Sequence, residues 1–182
     1  MAKLNKDILF KWVDEYNEQY WHGSDKEIEE KMKERLKNKF KRGNMFLSKD
    51  EFEQICYWKA KRNKRNYSNN PEEYIKYITA QSFASRNDRF KIEALTLLKG
   101  VQYPVASTIL HFSFPNKYPI IDWRVLWSLS KLGYPEMQQP AQYDFDFYNR
   151  YMRIIAGLSR KYGLSIRDVD KALWKYADNK KS

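Results

Sequence analysis

The stretch Leu98-Lys99-Gly100-Val101-Gln102-Tyr103-Pro104-Val105-Ala106 decides how this chain reads. It follows the apolar-periodic run NDRFKIEALTLL and precedes VASTILHFSF, so a glycine turn falls between two helices. Reversing the chain there requires a positive φ or a close backbone approach, and Gly100 meets either need without a Cβ penalty. Pro104 opens the second helix, because a proline at the first helical position gives up only an N–H that has no intrahelical partner. The chain then passes Pro115 and Pro119, neither of which continues a helix, to reach Ile120-Ile121-Asp122-Trp123-Arg124-Val125. A single carboxylate, Asp122, is thereby delivered to the start of a third helix, WRVLWSLSKLG, which ends at Gly133.

Helix signals continue in both directions, and strand signals hardly appear. Ile8, Leu9, Trp12, Val13 and Tyr16 recur at helical spacing and predict an amphipathic helix over about residues 5–20. Ser24-Asp25-Lys26-Glu27 and Ser48-Lys49-Asp50-Glu51 both have the form of a capping box, in which the serine serves a backbone N–H and the glutamate reaches back. Asn70 is expected to cap a helix with Pro71 at its first position, and Asn87 or Asp88 to cap the helix that stops at Gly100. The loop YPEMQQPAQ leads to FDFYNRYMRIIAGLSRKYG, and Ser165 with Asp168 caps a last helix through Trp174. The Lys/Asn/Arg-rich run from Lys59 to Asn70 reads as a loop, and no solenoid repeat is visible. The expected fold is all-α. At 182 residues the chain is one domain long, with two helical lobes sharing a cleft: a barrel-like lobe from about 25 to 115 that holds the hairpin, and a second from about 1–24 plus 116–182.

Lysine and arginine number 34 against 23 aspartates and glutamates, a formal charge of +11. The excess concentrates between Lys31 and Arg65, in KMKERLKNKFKRG and WKAKRNKRN, as expected if one face meets a polyanion. A basic, solvated surface with no such partner fits the same charge. The lone cysteine, Cys56, excludes an internal disulfide framework and any four-cysteine metal site within one chain. With only two histidines besides, no catalytic zinc and no other cofactor is expected. No segment approaches a membrane span of about 20 residues, and the N-terminus lacks a signal-peptide core. A cytoplasmic, monomeric protein without a membrane partner is the expectation.

The turn and the carboxylate each have two readings. Backbone N–H groups at the turn and at the start of the Pro104 helix can hold a phosphate oxygen, a contact that reads no sequence. The same residues also make an ordinary helix–turn–helix junction. Asp122 is a preferred N-cap, worth about 1 kcal/mol to its helix. Placed near a bound strand, its charge can also stabilise an oxocarbenium-like sugar or orient an attacking water.

The run LKGVQYPVASTILHFSFPNKYPIIDWRV resembles the helix-hairpin-helix DNA glycosylase superfamily over about thirty residues. The pattern of that family is a Leu-x-Gly-Val-Gly turn, an alanine six residues after the first glycine, and an aspartate about sixteen residues further on. Gly100, Ala106 and Asp122 stand at those positions. The resemblance implies double-stranded DNA with a flipped-out base as partner, Asp122 as the catalytic residue, and Gly100, Gln102 and Tyr103 at the DNA backbone. Pro104 occupies the place where bifunctional members carry a nucleophilic lysine, which implies hydrolysis without lyase activity. Gln102 replaces the second turn glycine, and Arg124, a further candidate DNA contact, stands where several members carry a histidine. The implied activity is a monofunctional glycosylase that leaves an abasic site, in repair or in antiviral defence against modified phage DNA. The alternative is a helix-hairpin-helix DNA-binding protein without catalysis.

A glycosylase must extrude its base, fill the gap and stack on what it extrudes. Asn63, Asn66, Tyr67 and Asn69 are candidate gap-fillers in the basic run, with Lys59, Arg62 and Arg65 for flanking phosphates. Tyr57, Trp58, Trp21 and Trp123 are candidate pocket walls, although aromatics at helical spacing also serve as core. His111, on an apolar helix face, reads as a buried histidine with its hydrogen bonds satisfied.

Overall fold

From an asparagine cap, Asn5 accepting the Ile8 N–H at 2.9 Å, helix α1 runs Lys6–Gln19 and buries Leu9 and Val13. This computed structural model describes residues 4–181. The chain divides into two units, one formed by Gly23–Pro115 and the other by Met1–His22 with Asn116–Ser182. Among the described residues there is no strand, and no helix is long and apolar enough to cross a membrane.

Within Gly23–Pro115, α2 (Gly23–Lys41) begins on Gly23, whose φ of +62° suits only a residue without a β-carbon. The expected cap at Ser24 is therefore corrected: the serine is the second residue of the helix, because the glycine has already turned the chain into it. The second serine box does form, and it opens α3 (Lys49–Lys59). Its glutamate, Glu51, is buried and also receives Lys39 Nζ at 2.6 Å and Arg35 Nε at 3.0 Å from α2, so the cap ties two helices together.

The expected loop from Lys59 to Asn70 is a 3₁₀ turn, Lys61–Asn63, followed by the short α4, Lys64–Ser68. Fully buried Tyr67 anchors it against the rings of Phe52 and Tyr57, which a run of charged and amide residues does not announce. Helix α5 (Glu72–Ala84) is capped by the backbone of Pro71 rather than by Asn70, whose side chain is used elsewhere. Asn87 caps α6 (Asp88–Leu95), which stops short of Gly100 because Thr96, Leu97 and Leu98 bond back three residues and tighten the tail. Lys91 is buried, its ammonium donating to the carbonyls of Ser82 and Phe83 at the end of α5. Helix α7 (Tyr103–Ser113) is buried at every position from Val105 to Ser113, and α2, α3 and α6 pack around it.

In the other unit α8 (Trp123–Lys131), α9 (Phe145–Tyr162) and α10 (Ile166–Lys181) join α1, with α10 packed on all three. The stripe Phe147, Tyr148, Tyr151, Met152, Ile155, Leu158 and Tyr162 makes α9 amphipathic, and Gly163 ends it at φ +69°. Ser165 caps α10 by accepting the Asp168 N–H at 3.0 Å. That helix continues past Trp174 to Lys181, since Tyr176 and Ala177 prolong its buried side.

Candidate active site

At the turn, Val101 N–H bonds to Leu98 O at 3.0 Å and Gly100 takes φ +83°. A β-carbon on Gly100 would meet Asn63 Nδ2 and Asn66 Cβ at 2.9 Å and Tyr67 Cδ1 at 3.0 Å, so the turn needs glycine for space as well as for conformation. Exposed Gln102 is the N-cap of α7 and makes no side-chain cap hydrogen bond. The Tyr103 hydroxyl donates to Glu93 Oε1 at 3.4 Å, and Pro104, expected at the first helical position, is the second residue of α7, its carbonyl accepting from Ser107 and Thr108.

The amides beside the turn have defined partners. Asn63 Nδ2 donates to Gly100 O at 3.0 Å, and Asn63 Oδ1 accepts from Asn66 Nδ2 at 2.6 Å. Asn70, buried, accepts the Lys99 N–H at 2.7 Å and donates to Lys99 O at 3.1 Å. Tyr67, named as a gap-filler, is corrected to a core residue by its complete burial. Arg62 and Arg65 are exposed on this same segment, while Lys59, the last residue of α3, is half-buried. Tyr57 and Trp58 face different neighbours. The Tyr57 hydroxyl pairs with Ser68 Oγ at 3.0 Å, whereas Trp58 Nε1 donates to Asp25 O at 3.0 Å and its ring meets Phe112 edge-on. His111 is buried with Lys33 Nζ at 2.9 Å from its Nε2 and the Glu29 carboxylate beside them, so this histidine sits in a polar cluster inside an apolar helix bundle.

Asp122, Trp123, Arg124 and Trp21 lie in the other unit. Asp122 is half-buried and caps α8, its Oδ1 accepting the Arg124 N–H at 2.9 Å. The approach to it is held from α9, where Tyr148 donates to Pro119 O at 3.1 Å and Tyr151 to Ile120 O at 2.7 Å. Burial, and then the charge of Asp122, push the Tyr143 phenol up. The Tyr151 phenol is also raised well above its usual value, first by burial, then by Asp170, Tyr148 and Asp122. The carboxylate thus sits beside phenols that stay neutral at physiological pH.

Cations and aromatic rings cluster around Arg124 and Trp174. The Arg124 guanidinium lies 4.5 Å from the ring centres of both Trp123 and Trp174. Trp174 meets Tyr16 and Tyr20 edge-on, and Lys171 Nζ lies 3.8 Å from the centre of Trp21. Trp123 is 41% exposed. The three tyrosines of the α9 region, the α10 cations and the hold of Asn63 and Asn70 on the turn all escape a reading by motif. An aromatic-rich stripe and the asparagine-rich run NKRNYSNN are the sequence signals of the tyrosines and the amides.

The fold is that of an all-helical protein with a glycine turn between α6 and α7 and a capping aspartate opening α8. It resembles a DNA glycosylase/lyase. The chain is similar to the 8-oxoguanine glycosylase/lyase of Methanocaldococcus jannaschii, whose crystal structure holds a 15mer DNA containing 8-oxoguanine. The likeness has a TM-score of 0.50 at 20% identity and covers 96% of this chain and 91% of that one. No protein-family model and no curated protein matches the sequence.

Proposed function

We propose that this chain is a DNA N-glycosylase that hydrolyses the bond between a damaged or modified base and its deoxyribose, with Asp122 as the catalytic residue. The observation that carries the reading is the placement of Asp122. It is a half-buried carboxylate at a helix start, its approach clamped by two tyrosine hydroxyls, in a chain whose fold is shared with a DNA glycosylase/lyase. As the C1′–N bond breaks, the base leaves with the bonding electrons and the sugar acquires oxocarbenium character. The Asp122 carboxylate stabilises that positive charge, and a water adds to C1′ while the proton it loses passes to the departed base, giving an abasic site and the free base.

The Gly100 turn and Gln102, with Arg62 and Arg65, take the DNA backbone in this reading. Tyr57, Trp58, Trp21 and Trp123 are candidates for contact with the base, and Arg124, sitting against two indoles, for contact near the sugar. Pro104 supports hydrolysis without strand cleavage, because no lysine stands at that position to attack C1′. The base belongs to the oxidised, alkylated or hypermodified classes, which serves either repair or defence against modified phage DNA. The protein acts as a monomer without a cofactor.

Abasic-site formation tests this on duplexes carrying 8-oxoguanine, alkylated, deaminated and glucosylated hydroxymethyl bases. Aldehydes from wild type but not from Asp122→Asn, with strands intact until alkali is added, are the expected result. Breaks without alkali would overturn the hydrolytic assignment. Salt-sensitive DNA binding with no abasic site on any duplex would replace it with a non-catalytic binding protein.

A further inference from the structure

The basic segment and the hairpin turn form a single built piece. Buried Asn70 grips Lys99 through both its N–H and its carbonyl, and the same Nδ2 reaches Tyr67 O at 2.9 Å in α4. Asn63 holds Gly100 O at 3.0 Å, and α4 lies so close over Gly100 that a β-carbon would not fit. The far end of α4 is pinned by Lys49 Nζ, which donates to Ser68 O at 2.9 Å. The amides therefore fix where Arg62, in the 3₁₀ turn, and Arg65, in α4, stand relative to the hairpin.

Arg62 and Arg65 differ from the lysines of α2. Along α2, Lys31, Lys33, Lys37 and Lys39 each lie against a carboxylate, as do Lys76 and Arg89 elsewhere. Arg62 and Arg65 are exposed, no aspartate or glutamate lies between Lys59 and Asn70, and neither arginine pairs with a carboxylate among the described residues. Exposed cations held on a rigid platform without an internal counter-charge are complementary to an external anion.

We infer that Asn63 and Asn70 are positioning residues that lock the Lys61–Asn63 turn and α4 onto the hairpin, so that Arg62 and Arg65 bind phosphates of the DNA strand that the hairpin itself engages. The inference rests on the proposed reading of the turn as a DNA contact. It goes further in making a single interface of two segments about forty residues apart and in naming the amides that join them.

Salt titrations of affinity for an undamaged fluorescent duplex test it, because each phosphate contact adds about 0.9 to the log–log slope. Arg62→Ala/Arg65→Ala should lower the magnitude of the slope by about 1.8 and weaken binding at low salt by at least about tenfold. Asn63→Ala and Asn70→Ala should each lower the slope as well, and the arginine changes should cost much less in either background than in wild type. A purely structural role for the amides would reduce thermal stability and leave the slope intact, which would overturn the inference. Asn63 is only half-buried, so its variant keeps the test open if Asn70→Ala fails to fold. A steep wild-type slope that is indifferent to both arginines would sink this interface alone. A flat wild-type slope would sink the DNA reading with it.

Discussion

Asp122 carries two duties that a single substitution can separate. As the cap of α8 it holds the Arg124 N–H, a role that asparagine fills about as well as aspartate. As the charge proposed to face the sugar, it has no substitute among neutral side chains. Asp122→Asn should leave the melting temperature within a degree or two of wild type while abasic-site formation falls at least about a hundredfold. Asp122→Ala should lose activity and also about 1 kcal/mol, roughly 2–4 °C in a chain of this size. Calorimetry beside the glycosylase assay distinguishes the two. Gly100 is constrained differently, by φ +83° and by atoms 2.9 Å from where a β-carbon would stand. Gly100→Ala should cost about 1–3 kcal/mol in urea unfolding and loosen α4, with DNA affinity falling alongside.

Between elements, tyrosine hydroxyls make joints that hydrophobic patterning does not reveal. Tyr151→Phe would leave Ile120 O buried without its 2.7 Å donor, so unfolding should become easier by about 1–3 kcal/mol, with Asp122 less well held. Helices α1 and α10 are joined by Tyr20, which donates to Asp178 Oδ2 at 2.7 Å. That bond raises the Tyr20 phenol from 10.0 to about 12, and it holds the Asp178 carboxyl below its ordinary 3.8 with help from Lys175. The raised phenol contributes stability that is present in full below pH 10.0 and lost as pH climbs toward about 12, so Tyr20→Phe should flatten the alkaline fall in unfolding free energy. The depressed carboxyl contributes above 3.8, and its share is lost as pH drops below that value. These joints mark the limit of what the sequence displays. The caps at Ser48, Asn87, Asp122 and Ser165 were legible because donor and acceptor lie within three residues of one another. Asn70 has the same local form but spends its amide on Lys99, 29 residues away, and Ser24 lost its role to the glycine before it. The Lys59–Asn70 run looked like loop because its buried aromatic anchor, Tyr67, is outnumbered by charged and amide neighbours. The turn glycine and the aspartate were readable as a spaced pair. The tyrosines that hold the approach to that aspartate share their spacing with ordinary core residues.

For the molecule as a whole, the net charge of +11 must be explained by solubility or by a partner, and ionic strength separates the two. A charge that only solubilises is spread over the surface and neutralised by loosely held counterions, so binding to a duplex would be weak and nearly independent of salt concentration. A charge that meets phosphate displaces condensed cations from the DNA, and the affinity then falls as a power of the salt concentration. Many lysines of the Gly23–Pro115 unit are engaged with carboxylates, whereas exposed Arg62 and Arg65 are not and stand on the segment that the amides hold against the turn. About four contacts from these groups predict a log–log slope near −3.6 and a loss of affinity of roughly a hundredfold between 50 and 200 mM salt. The slope should be the same for undamaged DNA and for DNA carrying a substrate base, since backbone contacts read no sequence. It should also be the same for wild type and Asp122→Asn, because neutralising one carboxylate adds no phosphate contact. Anisotropy titrations over that range measure both comparisons. A slope near zero would assign the charge to solubility and remove the physical ground for placing DNA on the hairpin.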